Sequence, residues 1–211
     1  MTTKRVLIAD DHVIFREGLK QFISSLGNMV VADAAASGTD ALAKVRENDY
    51  DLVILDISLP GKSGLDVLAD IKRAKPNLPV LILSMYPEEQ FGLRALKAGA
   101  AGYLTKGMSA HELSIALQRV VSGRRYISPT LAESVVDSLQ AEYERPVHEA
   151  LSVREYQITC MIAAGKKPKQ IAAELAMSVK TVSSYRSRIF AKMNVSNNAE
   201  LIRYAAANNL I

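Results

Sequence analysis

Leu52-Val-Ile-Leu-Asp56 constrains the fold more than any other stretch of this chain. An unbroken apolar run suits a strand buried on both faces of a parallel sheet, because a half-exposed strand would alternate apolar and polar residues. The run stops at a carboxylate, and the chain turns through Ile57-Ser-Leu-Pro-Gly61. In open α/β sheets ligands bind outside the carboxyl ends of the strands, so Asp56 stands where chemistry is done. Aspartate also starts turns for local reasons alone. The neighbouring runs decide between the two readings.

Arg5 to Ala9 is a second buried run, ending in Asp10-Asp11. Met29 to Ala34, Val80 to Ser84 and Gly102 to Thr105 read as further strands, the last followed by Lys106-Gly107. Between them the apolar residues recur at helical spacing: Val13, Ile14, Leu19, Phe22, Ile23 and Leu26; then Ala41, Leu42 and Val45; then residues 65–74 and 87–98. Ser109 and Glu112 have the spacing of a capping box that opens a fifth helix running to about Ser122. Strands alternating with helices predict an α/β fold, a doubly wound five-stranded parallel sheet covered on both faces, over residues 1–125.

Asp10, Asp11, Asp56, Ser84 and Lys106 all stand at carboxyl ends of these strands, so the topology gathers them at one edge of the sheet. Any one of them has an ordinary use as a cap, a turn residue or a surface charge. Their joint placement after four different strands does not. Three close carboxylates repel unless a cation joins them. Hard oxygen ligands with room for water suit Mg²⁺. A divalent ion and a lysine ammonium stabilise charge on a transferring phosphoryl group. A carboxylate there acts as nucleophile and forms an aspartyl phosphate. Asp56, the lone acid of the central strand, is the candidate, and Ser84 offers a hydroxyl to a phosphate oxygen.

Composition bounds the rest. The 211 residues fit one or two domains. No apolar run approaches the ~20 residues that span a bilayer. The start, Met1-Thr-Thr-Lys-Arg5, lacks a secretory apolar segment, and the one cysteine, Cys160, excludes an intrachain disulfide and lies in an apolar helical stretch. These features predict a cytoplasmic protein that does not engage a membrane. The net charge of +4 is unevenly spread. After Leu151 bases outnumber acids, while Glu133, Asp137, Glu142, Glu144 and Glu149 precede them. A basic C-terminal module behind an acidic connector points to a polyanionic partner for that module alone.

Residues 1 to about 125 resemble the receiver domain of bacterial two-component response regulators, in Ala9-Asp-Asp-His12, Leu55-Asp-Ile-Ser-Leu-Pro-Gly61, Gly64-Leu65, Leu83-Ser-Met-Tyr86 and Gly99-Ala-Ala-Gly-Tyr-Leu-Thr-Lys-Gly107. The resemblance implies that a histidine kinase phosphorylates Asp56. It implies Asp11, Asp56 and the Ser58 carbonyl as direct Mg²⁺ ligands, with Asp10 acting partly through water. It makes Ser84 and Tyr103 the switch pair and Lys106 the phosphate-binding lysine. Many receivers have proline after that lysine, often behind a cis peptide; here Gly107 follows, and the geometry of that bond stays open. Aspartyl-phosphate hydrolases also place a nucleophilic Asp after a strand, but they resemble Asp-x-Asp. Here that second position is Ser58, which supplies no carboxylic acid, so the protein is not expected to be an enzyme.

Residues 126–150 read as a connector: Gly123 to Pro129 breaks the last helix, Leu131, Val135, Val136 and Leu139 suit one amphipathic helix, and residues 140–150 suit a mobile spacer. Residues 151–211 predict a small all-α four-helix unit. Ser152 and Glu155 box its first helix, Pro168 suits the first turn of the second, Val182, Ile189 and Met193 form the buried stripe of the third, and Asn197 and Glu200 box the fourth. Two helices joined by the short turn Ala176-Met-Ser178 match a helix-turn-helix, whose second helix enters the major groove of double-stranded DNA. Lys180, Thr181, Ser183, Ser184, Arg186, Arg188 and Lys192 surround the buried stripe without an acid among them. Such a face donates to phosphates and reads base edges. Lys180 and Arg186 are expected to include the base reader, and Lys192 to touch phosphate only.

Leu151-Ser-Val-Arg-Glu155, Ile162-Ala-Ala-Gly-Lys166, Gln170-Ile-Ala-Ala-Glu-Leu175 and Met177-Ser-Val-Lys-Thr-Val182 resemble the LuxR-type DNA-binding domain, and with the receiver the NarL/FixJ class. That resemblance implies that phosphorylation frees the recognition helix and promotes a homodimer on paired half-sites. Where relatives have Ser-Asn-Lys this chain has Lys167-Pro-Lys169. The proline removes an N–H that could meet a phosphate, and Lys167 and Lys169 are expected to compensate.

Overall fold

The computed structural model describes residues 3–140, 146–208 and 210. The chain divides into two compact units between Ala132 and Glu133.

In the first unit the strands are β1 (Lys4–Ala9), β2 (Met29–Ala35), β3 (Leu52–Leu55), β4 (Val80–Ser84) and β5 (Gly102–Thr105). They form one parallel sheet in the order β2-β1-β3-β4-β5. The helices α1 (Val13–Ser25), α2 (Gly38–Glu47), α3 (Gly64–Ala74), α4 (Glu88–Lys97) and α5 (Ala110–Val121) connect and follow them. β3 and β4 are buried along their whole length, as their unbroken apolar runs require. The order reverses between β1 and β3, and such a switch point opens a crevice at the strand ends. Register does the rest: Ala9 pairs with Leu55, so the residues that follow, Asp10 and Asp56, emerge side by side. The Asp56 N–H donates to the Ala9 carbonyl at 2.9 Å.

Behind β3 the chain doubles back tightly into α3. The Gly64 N–H donates to the Ile57 carbonyl at 2.9 Å, and a Cβ on Gly64 would lie 1.9 Å from the Asp56 carbonyl oxygen. Backbone cannot yield to that contact as a flexible side chain would. Gly64→Ala is therefore expected to cost about 1–3 kcal/mol or more, as overpacking does, and to move the Asp56 loop. A lowered urea midpoint of the receiver unit checks this; an unchanged midpoint contradicts it.

One local expectation changes on contact with the fold. Ser109 caps α5 by accepting from the Glu112 N–H at 3.1 Å, but the Glu112 carboxylate accepts from the Tyr126 hydroxyl at 3.0 Å. Tyr126 lies beside Gly102 and donates its N–H to Ala101. Among the described residues no peptide bond is cis, so Lys106–Gly107 is trans.

The connector holds more order than a spacer needs. Helix α6 (Pro129–Gln140) begins anchored: the Ser128 hydroxyl donates to Glu88 at 2.7 Å and accepts from the Leu131 N–H, and Leu131 is buried against Gly92. Residues 141–145 of the expected mobile stretch lie outside the described residues. Val147–Ala150 form a 3₁₀ turn, whose His148 meets the Tyr204 hydroxyl through its N–H at 3.3 Å and its Nδ1 at 3.0 Å.

The second unit contains α7 (Val153–Ala163), α8 (Pro168–Glu174), α9 (Val179–Met193) and α10 (Asn198–Ala207). Ser152 and Glu155 form the full capping box of α7, and Pro168 stands in the first turn of α8. Ile158, Ile171, Leu175, Val182, Ile189, Met193 and Leu201 make the core. Ala176 takes a left-handed conformation (φ 49°) in the turn between α8 and α9. Among the described residues no helix is long and apolar enough to cross a membrane.

Candidate functional site

At the switch point, Asp10 and Asp56 are almost wholly buried (3% and 1% exposed), and Lys106 joins them. The Lys106 ammonium lies 2.7 Å from Asp10 Oδ2 and 2.7 Å from Asp56 Oδ2, and 4.7 Å from the centroid of the Phe15 ring. Burial pulls the Lys106 pKa down, but the charges and hydrogen bonds of Asp56 and Asp10 more than offset this and leave it raised. Lys106 is thus a fixed cation. The other oxygen of Asp56 accepts from the Ser58 N–H at 3.1 Å. Asp11 is exposed, its Oδ1 2.9 Å from His12 Nδ1. The His12 N–H donates to Asp10 at 2.8 Å, and Arg16 donates to the Asp10 carbonyl.

One ligand atom from each of Asp10, Asp11, His12 and Asp56 falls within 4.8 Å of the others, so the cluster can bind a metal ion. Ser84 and Tyr103 sit one and two strands away from β3, both fully buried. The Ser84 hydroxyl accepts from the Tyr86 N–H at 3.4 Å, and the Tyr103 hydroxyl donates to the Tyr86 carbonyl at 2.8 Å. Burial raises the Tyr103 pKa far above the usual phenol range, against an opposing hydrogen bond from Ser84, so Tyr103 stays a neutral donor. Sequence reasoning singled out five of these side chains from the strand ends. It assigned nothing to His12, Phe15 or Arg16, although His12 adjoins the aspartate pair.

The helix α9 presents its polar residues on more than one side. Lys180, Thr181, Ser183, Ser184, Ser187 and Arg188 are exposed. The Ser184 and Ser187 hydroxyls donate back to the Lys180 and Ser183 carbonyls at 3.1 and 3.2 Å, which leaves their lone pairs facing outward. The Arg188 guanidinium lies 4.5 Å from the Tyr185 ring centroid. Arg186 is placed differently. It follows Val182 by one helical turn and so shares the buried side, where it is half-buried 5.8 Å from the Phe190 ring centroid. With Ile162, Lys166, Pro168 and Ile171 it lines a small cavity. Lys192 pairs with buried Glu155 at 2.7 Å, so an acid does stand against this helix. Burial pushes the Glu155 carboxyl up, but hydrogen bonds from Lys192 and Ser152 outweigh that and hold it below the usual range. Lys167 and Lys169 are exposed at the start of α8.

Comparison with known proteins gives the same two parts. Residues 6–118 match the response regulator receiver domain, and residues 149–205 match the bacterial regulatory proteins of the luxR family. This chain is a two-component response regulator with a LuxR-type DNA-binding domain. It is a transcription regulator and not an enzyme. It is 36% identical to the response regulator GacA of Pseudomonas viridiflava over 98% of this chain and 97% of that protein. It is 35% identical to UvrY of Escherichia coli K12 over 97% of this chain and 94% of UvrY. Among solved structures, the RcsB response regulator of Salmonella typhimurium superposes with a TM-score of 0.68 at 25% identity over 99% of both chains.

Proposed function

We propose that Asp56 is the phosphoacceptor of this regulator and that its phosphorylation, by a cognate histidine kinase in the cytoplasm, controls DNA binding by a homodimer. The observation that carries the reading is Lys106 bridging Asp10 and Asp56 at 2.7 Å beside a metal-competent cluster. An Asp56 oxygen attacks the phosphorus of the donor, the donor's leaving group departs with the bonding pair, and an acyl phosphate forms. Lys106 is placed to follow the new phosphoryl oxygens, and the Ser58 N–H holds Asp56 in orientation. The oxygen donors of Asp10, Asp11, Asp56 and the Ser58 carbonyl would hold Mg²⁺, and exposed Asp11 leaves room for the waters that ion keeps. When bound, Mg²⁺ supplies stabilisation of charge developing on the phosphoryl group. Ser84 and Tyr103 serve as the switch pair: a phosphoryl group that draws on the Ser84 hydroxyl changes what Tyr86 and Tyr103 hold, and Tyr86 leads into α4.

For output, the exposed face of α9 enters the major groove. Lys180, Thr181, Ser183, Ser184 and Arg188 are its reading or phosphate-binding residues, with Lys167 and Lys169 on the flanking backbone. Arg186 and Lys192 support the unit instead. Full-length protein treated with phosphodonor should bind a target promoter more tightly than untreated protein, with paired footprints one helical turn apart or a multiple of it. Asp56→Asn should give the untreated pattern under both conditions. Equal affinity of wild type with and without phosphodonor would sink the switch.

A further inference from the structure

Beside the Lys106 ammonium, one imidazole stands among the carboxylates at the switch point. His12 occupies the position before α1 where a capping side chain would sit, yet its side chain makes no capping bond. The imidazole instead turns to the aspartates, with Nδ1 2.9 Å from Asp11 Oδ1 and 3.3 Å from Asp10 Oδ1. Neighbouring ligands around an octahedral ion with bonds of about 2.1 Å stand about 3.0 Å apart, and opposite ones about 4.2 Å apart. The two observed separations are those of neighbours, and the whole four-residue set spans no more than 4.8 Å. Lys106 engages the Oδ2 atoms of Asp10 and Asp56. The Oδ1 atoms of Asp10 and Asp11 are the ones turned toward the imidazole. Ammonium and imidazole therefore divide the carboxylates between them without competing.

We propose that His12 is a ligand of the divalent cation in this site, and that it makes the site prefer Mn²⁺, Co²⁺ or Ni²⁺ to Mg²⁺ by far more than carboxylates alone would. The inference rests on reading the aspartate cluster as the cation site. Carboxylate, carbonyl and water suit Mg²⁺, whereas imidazole suits later first-row metals, whose affinity for nitrogen rises toward Ni²⁺. The backbone N–H of His12, bonded to Asp10 at 2.8 Å, holds the ring's starting point fixed, and the ring itself is more than half exposed and free to turn onto an ion. The regulator would then respond to which divalent ion fills the site as well as to phosphoryl donors.

The test is calorimetric titration of full-length protein with MgCl₂, MnCl₂ and NiCl₂, for wild type, His12→Ala, His12→Gln and Asp11→Ala. Pulsed electron paramagnetic resonance of the Mn²⁺-loaded proteins reads nitrogen coupling directly. His12→Ala and His12→Gln should each weaken Ni²⁺ by at least about tenfold while changing Mg²⁺ by less than about twofold, because only the softer ion loses a preferred ligand. A ¹⁴N coupling should be present in wild type and absent from both His12 variants. If Asp11→Ala weakens every ion but the His12 variants weaken Mg²⁺ and Ni²⁺ alike, or wild type shows no ¹⁴N coupling, the ligand assignment is overturned and the cluster remains a cation site. If Asp11→Ala weakens no ion, the cluster reading itself falls and the proposal with it.

Discussion

Asp56→Asn is expected to abolish phosphorylation. Incubated with a small phosphodonor and Mg²⁺, the wild-type protein should gain the mass of one phosphoryl group, the variant should gain none, and EDTA should bring wild type to the level of the variant. The amide oxygen of asparagine is a poor nucleophile and cannot leave a stable acyl phosphate, while its size preserves the packing of a residue that is 1% exposed. Asparagine also loses a charge facing Lys106 at 2.7 Å, so a bare loss of activity would not by itself separate nucleophile from scaffold. Peptide mapping does separate them. Hydroxylamine or borohydride treatment of the labelled wild type should mark Asp56 and leave Asp10 and Asp11 unmarked. Labelling of the variant at wild-type level, or mapping to either neighbour, refutes the assignment. EDTA-insensitive labelling would instead remove the divalent ion from the reaction.

The sheet and the place of its acids were legible because each rests on one short segment. A buried strand is an apolar run, and the residue after it stands at the carboxyl end whatever the rest of the chain does. Register was not legible. That Ala9 faces Leu55, and so sets Asp10 beside Asp56, depends on pairing between segments far apart in sequence. The same distance hid other features. Gly64 belongs to a quotable motif, but its need to be glycine comes from the Asp56 carbonyl on the other side of the turn. Glu112 has capping-box spacing, yet its carboxylate goes to Tyr126. Lys192 reads as a free cation until Glu155, 37 residues earlier, is found against it. His148 lies in a stretch composed like a spacer, and its place comes from Tyr204, 56 residues on, and from the Tyr156 ring. Arg186 is a different case. Its position one turn after Val182 was available in the sequence, whereas its half-burial beside Phe190 was not.

The angles carry the largest expected effect on DNA binding. Lys180, Ser184, Ser187 and Arg188 recur at helical spacing on the side away from Val182, Ile189 and Met193. Arg188 brings a planar, five-donor fork to that face, steadied 4.5 Å from the Tyr185 ring centroid, and a fork of that kind suits bidentate contact with guanine. Lys180, in the first turn of α9, is a point charge suited to phosphate. Measured on phosphorylated full-length protein across a salt series, Arg188→Ala should cost about 1–3 kcal/mol, concentrated at one position of the half-site. Lys180→Ala should weaken all sequences alike and reduce the log–log salt slope by roughly one. Arg186→Ala should leave sequence preference intact and act, if at all, through stability, since its guanidinium rests on Phe190 at the cavity with Ile162 and Ile171. Lys192→Ala should lower the thermal midpoint of the second unit, because it strips buried Glu155 of the side-chain cation 2.7 Å away while leaving the salt slope nearly unchanged. A base-specific loss in Arg186→Ala with Arg188→Ala silent would reverse the assignment and turn the opposite side of α9 to the groove.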